Sequence, residues 1–545
     1  MLLFLALPII CLFLYYKLHY RRFRKYANFP QLKSSLVWGH LQTLHKVHKD
    51  RHRIDGDIDP VFGDLMEQAG NPPVLFIDLW PLNEPMLLIR DHDVAEQVSK
   101  QSQLWPYSLP KSPSFKEYLP LVDEHSLIWK SGHHWKTLRK LFNPGFAPKH
   151  LMTLLSVVLN KTKIFVQILD EHAAKKDVFD LSSPCTNPTF DIIGAVTMDE
   201  DLHVQVPDAL QSHFIQNYKR FAATYRADGS PSLLPSFSVR WERRRLGQAL
   251  DVFLGDVIRR KFDLYKADSN TASRSILALS LKDINMLTQP IMDDIISALK
   301  TFLFAGHDTT SILLQWALYE LSSNPHTLAR MRYELDQVLG QSADLDHVFE
   351  VINKGGEEVV GQLKYTSAVI KEVLRLHPPA ATARYSPPGT GFHLTMPDGS
   401  RICADDLMLY NGNYLIHRCL QVYGETKDDF IPERWLDASA SNSQTSTKFE
   451  NAHIPPSSWR PFERGPRNYI GQELANIEAK VILVVLVGRY DLVKEGLGRP
   501  ILGANGEPLL DARGRHITDS DVYNSRQITA QPVDGMRVRS IRRTT

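Results

Sequence analysis

Cysteine is scarce in this 545-residue chain: there are four, Cys11, Cys185, Cys403 and Cys419, at irregular spacing. They form neither a disulfide framework nor a zinc-binding pattern, and a reducing compartment fits them. The role expected of all four is that of small buried hydrophobes. An excess of charge of one sign is also missing. The formal net charge of +2 gives no reason to expect a nucleic-acid partner. No internal repeat is visible. The hydrophobic share of 43% and charged share of 23% are ordinary for a globular protein.

What is present begins at the first residues. Leu2 to Tyr16 is an almost unbroken apolar run, followed by Tyr20 and the basic cluster Arg21, Arg22, Arg24 and Lys25. The run is a little short of the roughly 20 residues a spanning helix needs. No basic residue precedes it and no small-x-small cleavage site follows it, which argues against a secretory signal. Aromatics and cations at its downstream end predict a membrane anchor over residues 1–20, with the body in the cytosol. Residues 21–45, with Pro30 and Gly39, read as a basic linker hinge, and 46–545 as one large domain.

Apolar residues recur at helical spacing from about Ile291 to Leu321, with Pro290 suited to the first turn and Pro325 beyond the end. Ala305-Gly306-His307-Asp308-Thr309-Thr310 lies inside this helix and is poor helix-interior chemistry. Its hydroxyls can bond back to the preceding turn. Glu372 and Arg375 stand three apart on one helical face, and Pro378-Pro379 stops that helix. By default such a pair is a solvated surface pair. Trp135 and Arg139 also share a face, by default a core tryptophan beside a surface arginine.

Elsewhere the chain reads as helical from about 135 to 380 with polar breaks. Arg240–Arg245 is a charged helix start with no function assigned. Residues 228–235 read as a loop, 340–356 as a polar surface connection and 438–447 as a low-complexity insertion. Alternation near 395–410 and 526–541 predicts strands. The fold class expected is mainly α with small β-sheets.

Phe462, Gly465, Arg467 and Gly471 fit the frame Phe-x-x-Gly-x-Arg-x-Cys-x-Gly, with Tyr469 at the cysteine. Trp135–Arg139, Ala305–Thr310, Glu372–Arg375 and Pro432-Glu433-Arg434-Trp435 precede that loop in order. On these motifs the chain resembles the cytochrome P-450 family of haem-thiolate monooxygenases, over roughly residues 30 to 535. Its style, including Phe142-Asn-Pro-Gly-Phe146, is similar to filamentous-fungal microsomal members. One departure is His417-Arg418-Cys419-Leu420, where many relatives have an acidic or amide residue and proline.

The resemblance implies the cytochrome P-450 fold behind a single-pass anchor in the endoplasmic reticulum membrane. It implies haem b, dioxygen, and electrons from NADPH–cytochrome P-450 reductase. It also implies an apolar small-molecule substrate, hydroxylated in a secondary-metabolite pathway. Trp135, Arg139, Arg384 and Arg467 would hold the haem propionates, within a loop shaped by Phe462, Gly465 and Gly471. Asp308 and Thr309 would relay protons to dioxygen, while His307 faces away. Glu372, Arg375 and Arg434 would form a structural triad beneath the haem.

Tyr469 stands at the axial iron-ligand position. A cysteine thiolate there pushes electron density onto iron. Tyrosine ligates as a phenolate, and its free pKa is about 10. Its ring is also longer than the cysteine side chain. Three readings stay open: a monooxygenase of the family; a tyrosinate-haem enzyme of peroxidase or isomerase type; and a membrane-anchored pseudoenzyme that binds a small molecule or partner.

Overall fold

Val481–Val487 is apolar on every side, and a helix of that kind belongs inside a core. In the computed structural model, which describes residues 2–51, 53, 55–225, 236–267, 273–436, 454–525 and 529–543, it does lie inside. The terminal helix Gln472–Arg489 packs against the central helix Gln289–Ser323. Pro290 opens the central helix, as expected of its fixed φ and missing N–H. The helix stays continuous through residues 305–310. Thr309 and Thr310 donate to the carbonyls of Ala305 and Gly306 at 2.8 and 3.1 Å.

The reason for a glycine in that stretch lies across the interface. A Cβ on Gly306 would stand 2.7 Å from Ile193 Cδ1, on the packed helix Ser182–Met198. Thr189 Oγ1 fastens the two helices by donating to the His307 carbonyl at 2.9 Å.

Nine strands are found among the described residues, numbered in chain order. They are β1 (Val74–Ile77), β2 (Met86–Ile89), β3 (Phe179–Asp180), β4 (Thr382–Ser386), β5 (His393–Thr395), β6 (Arg401–Cys403), β7 (Leu407–Asn411), β8 (Tyr490–Lys494) and β9 (Arg537–Arg542). One sheet has the order β1-β2-β7-β4, with β2 and β7 parallel and the other contacts antiparallel. The second is β3-β9-β8 and the third pairs β5 with β6. The strands expected near 395–410 are β5 to β7, and the stretch expected near 526–541 forms β9 only from Arg537, with residues 526–528 outside the described residues.

Glu372 and Arg375 lie in the helix Lys364–Leu376 and are fully buried, not solvated. Arg375 donates to Glu372 from Nε and Nη2 at 2.9 and 2.7 Å, and Arg434 Nε donates at 2.9 Å. Burial raises the Glu372 pKa, but Arg375 and then Arg434 outweigh it and hold the carboxyl below its ordinary value.

Several expectations need correction. Residues 345–356 of the supposed surface connection belong to a helix, Leu345–Gln362, with Val348, Ile352 and Val360 buried. Asp344 caps its first turn by accepting from Asp346 and His347 N–H groups. Gly356, at φ 48°, kinks it. Cys11 and Cys403 are exposed, so only Cys185 and Cys419 are buried hydrophobes. Residues 228–235 and 438–447 lie outside the described residues.

The first helix is Leu2–Phe23. Its apolar part stops at Tyr16, and Lys17, Arg21 and Arg22 fill its last third. No helix among the described residues is long and apolar enough to cross a membrane. Arg22, from the basic cluster, is buried rather than solvated. It pairs with Asp78 just after β1, and donates to the carbonyls of Leu36, Val37 and Trp80.

Arg375→Ala should leave Glu372 buried with too few partners, at a cost of about 3–5 kcal/mol. Denaturant unfolding of the full chain measures this. Near wild-type stability would show that the triad does not hold the fold.

Candidate functional site

The loop that follows Trp459 is built by two constraints. Gly465 has φ +75°, and a Cβ there would stand 2.2 Å from the Ser99 carbonyl oxygen, so only glycine passes. Tyr469 N–H then donates to the Phe462 carbonyl at 2.9 Å, closing the loop before the terminal helix begins. Arg460 pairs with Glu463 at 2.6 Å beneath it. Burial raises the Glu463 pKa, but Arg460 and Arg384 outweigh it and hold the carboxyl down at about 2.

Above the loop lies a cavity of about 490 Å³, bounded by the central helix, β4 and the segment around Leu127. Four cations face it: Lys111, Arg139, Arg384 and Arg467. Arg467 sits 5.1 Å from the Trp135 ring centroid and donates to the carbonyls of Leu127 and Ile128. Arg139 donates to Asn468 and Asn143. Arg384 is buried, and its Nε has no hydrogen-bond partner. Burial lowers the pKa of all four, to about 10 for Arg139. Arg384 and Arg467 also push Lys111 down, and Arg384 and Arg139 do the same to Arg467. Like charges held together in a dry site require an anion. The facing carboxylate, Glu463, is already committed to Arg460.

Thr309 and Tyr469 also line the cavity. The Tyr469 hydroxyl crosses from the loop to the central helix and donates to the Ala305 carbonyl at 2.5 Å. Thr309 donates to that same carbonyl. Burial, only partly offset by Thr309, raises the phenol pKa, so the ring is neutral at physiological pH. Asp308 does not line the cavity. Its carboxylate accepts from Thr529 Oγ1 and Gln531 Nε2, on the segment before β9. His307 bonds the Leu303 carbonyl and packs on Phe190, away from the cavity.

These residues fit a haem at one end only. Lys111, Arg139, Arg384 and Arg467 suit two propionates, and the orphaned Arg384 Nε is a donor awaiting an acceptor. The axial end does not fit. The phenol bridges the loop and the central helix, and its hydroxyl is already committed to the Ala305 carbonyl.

Three cavity groups carry no sequence signal. Lys111 arrives through an isolated bridge to Arg384. Glu478 is buried, with Oε1 lacking a partner, and burial raises its pKa well above the ordinary value. Asp59 accepts from Tyr410 Oη at 2.6 Å, and burial with Asp57 raises its pKa to about 7.

A raised carboxyl pKa means the folded state keeps a proton that the unfolded chain releases near the ordinary value of 3.8. Asp59 therefore makes stability fall as pH rises from about 4 to about 7. Asp59→Asn keeps an acceptor for Tyr410 and should flatten that fall relative to wild type. Melting temperatures across this range check it, and an identical pH slope in both proteins would contradict it.

The sequence pattern of the family described as Cytochrome P-450 matches residues 62–505. The chain is 32% identical over 434 residues to "Cytochrome P-450 monooxygenase acrF" of Aspergillus aculeatus, covering 76% of this chain and 83% of that one. It is 28% identical to "Cytochrome P-450 monooxygenase polC" of Polytolypa hystricis, covering 79% and 77%. The solved haem domain of cytochrome P-450DA shares the fold, with a TM-score of 0.70 at 18% identity, covering 95% of this chain and 97% of that one. Family members use haem b iron, dioxygen and electrons from a reductase. With its loop, triad and central helix in the arrangement described, the chain belongs to the cytochrome P-450 family.

Proposed function

We propose that the chain is built as an oxygenase that hydroxylates an apolar small molecule in secondary-metabolite biosynthesis. The observation that carries this reading is the cavity itself. Its lining joins four cations to an apolar surface of Phe115, Leu127, Phe146, Phe302 and Phe304. Two fungal relatives named as monooxygenases support it. The electron donor is NADPH–cytochrome P-450 reductase. Leu2–Phe23 serves as the anchor to the endoplasmic reticulum membrane, presenting Ile9, Leu12, Phe13 and Tyr16 on its exposed surface. Thr309 is the hydroxyl placed to pass a proton into the cavity. Asp308 acts behind it, through Thr529 and Gln531, as a positioning residue.

The Tyr469–Ala305 hydrogen bond favours a second reading. With that strut in place the chain binds an apolar ligand without oxidising it, as a pseudoenzyme. The tyrosinate-haem reading requires the phenol to give up its hydrogen bond to Ala305.

The discriminating experiment compares wild type with Tyr469→Cys, reading haem content, the ferrous–carbon monoxide band and reductase-driven turnover. Wild type should show little haem and no red-shifted thiolate band, and Tyr469→Cys should gain all three. A red-shifted band or efficient hydroxylation in wild type would refute the role given to Tyr469. Failure of Tyr469→Cys to take up haem would sink the oxygenase reading and leave the pseudoenzyme. Tyr469→Phe loses only the hydroxyl, and should cost about 0.5–1.5 kcal/mol of stability if the strut is formed.

A further inference from the structure

Away from the cavity floor, three side chains from three segments converge. They are His125 in the segment before the helix Gly132–Phe142, His134 on that helix, and Asp294 in the second turn of the central helix. His134 Nε2 lies 3.1 Å from Asp294 Oδ1, and His125 Nδ1 lies 3.3 Å from the same oxygen. All three ligand atoms fall within 4.8 Å of one another. We infer that His125, His134 and Asp294 bind one divalent transition-metal ion of the Zn²⁺ type, which staples the segment around His125 to the central helix.

The spacing supports this. A tetrahedral ion with bonds of about 2.0–2.2 Å sets neighbouring ligand atoms roughly 3.3–3.6 Å apart. Two imidazoles and a carboxylate suit zinc and its neighbours. Among the described residues no lysine or arginine pairs with Asp294, whose ionic partners are the two histidines. Asp123 accepts the His125 backbone N–H at 3.0 Å, and the Glu124 carboxylate lies 3.9 Å from His125 Nε2. His134 and His125 are partly exposed, so an ion can enter from solvent and keep a water as its fourth ligand.

The position gives the ion a consequence. Leu127 and Ile128, two and three residues after His125, line the cavity, and their carbonyls accept from Arg467. Fixing His125 therefore fixes part of the cavity rim. The site does not rest on the oxygenase reading, since none of its three residues faces the cavity.

The test titrates the full chain with Zn²⁺ by calorimetry and with Co²⁺ by visible absorbance. One equivalent of each should bind, with Co²⁺ giving ligand-field bands and Zn²⁺ raising the melting temperature. His125→Ala, His134→Ala and Asp294→Asn should each weaken binding tenfold or more and abolish the melting shift. His133→Ala, next to the set but outside it, should change neither. Equal affinity in wild type and His134→Ala would overturn the site. So would the absence of stoichiometric binding, which would leave only a carboxylate shared by two imidazole hydrogen bonds.

Discussion

The carboxylate of Glu372 accepts from five donors in a dry interior: Nε and Nη2 of Arg375, Nε of Arg434, Nε1 of Trp435 and the N–H of Ile431. Arg375 spends its remaining donors on the carbonyls of His417, Lys427 and Asp429. His417 then accepts the N–H of Arg460 at 2.9 Å, and Arg460 holds Glu463 inside the loop. A continuous polar path thus runs from the helix Lys364–Leu376 to the residues that close the cavity. Desolvating so many charges is expensive, and it is offset where Glu372 and Arg375 satisfy each other and the surrounding carbonyls. Remove one member and the remainder is left charged in a low-dielectric medium, so the loop's shape depends on groups well outside it.

That loop keeps its form around a side chain the family does not use there. Gly471 allows it: a Cβ at that position would already stand 3.2 Å from Tyr469 Cε1. The phenol replaces a short, soft, ionisable group with a neutral strut that ends on the opposite helix. At the cationic end Lys111, Arg139 and Arg384 come from other segments, and Arg467 from the loop itself. The result is a site whose two halves make different demands. One requires anions, and the other is already satisfied by its own hydrogen bond.

Much of this was legible in the sequence where spacing and punctuation coincide. Pro290 and the apolar period announced the central helix, while the triad of Glu372, Arg375 and Arg434 followed from the family resemblance and not from the pair alone. The helix Gly132–Phe142 puts Trp135 and Arg139 on the cavity together. What failed to show depends on long-range geometry. Lys111 and Asp59 reach the cavity only through β4 and β7, which bring distant segments side by side. The direction of Asp308 is set by Thr529 and Gln531, over two hundred positions downstream. The helix Leu345–Gln362 did carry a signal, Val348 and Ile352 four apart, but Gly355-Gly356 masked it. Exposure of Cys11 and Cys403 follows from their places on an outer helix face and on the small β5–β6 pair, which composition cannot reveal.

Arg22 gives the first helix a mechanical character. Its guanidinium is buried against Asp78 and three carbonyls, so the helix Leu2–Phe23 joins the β1–β2 sheet through a rigid joint rather than a leash. Lys25 adds a second point of attachment at Asp406, immediately before β7. Both attachments lie at the sheet of β1, β2 and β7, and β7 is bonded directly to the strand that carries Arg384.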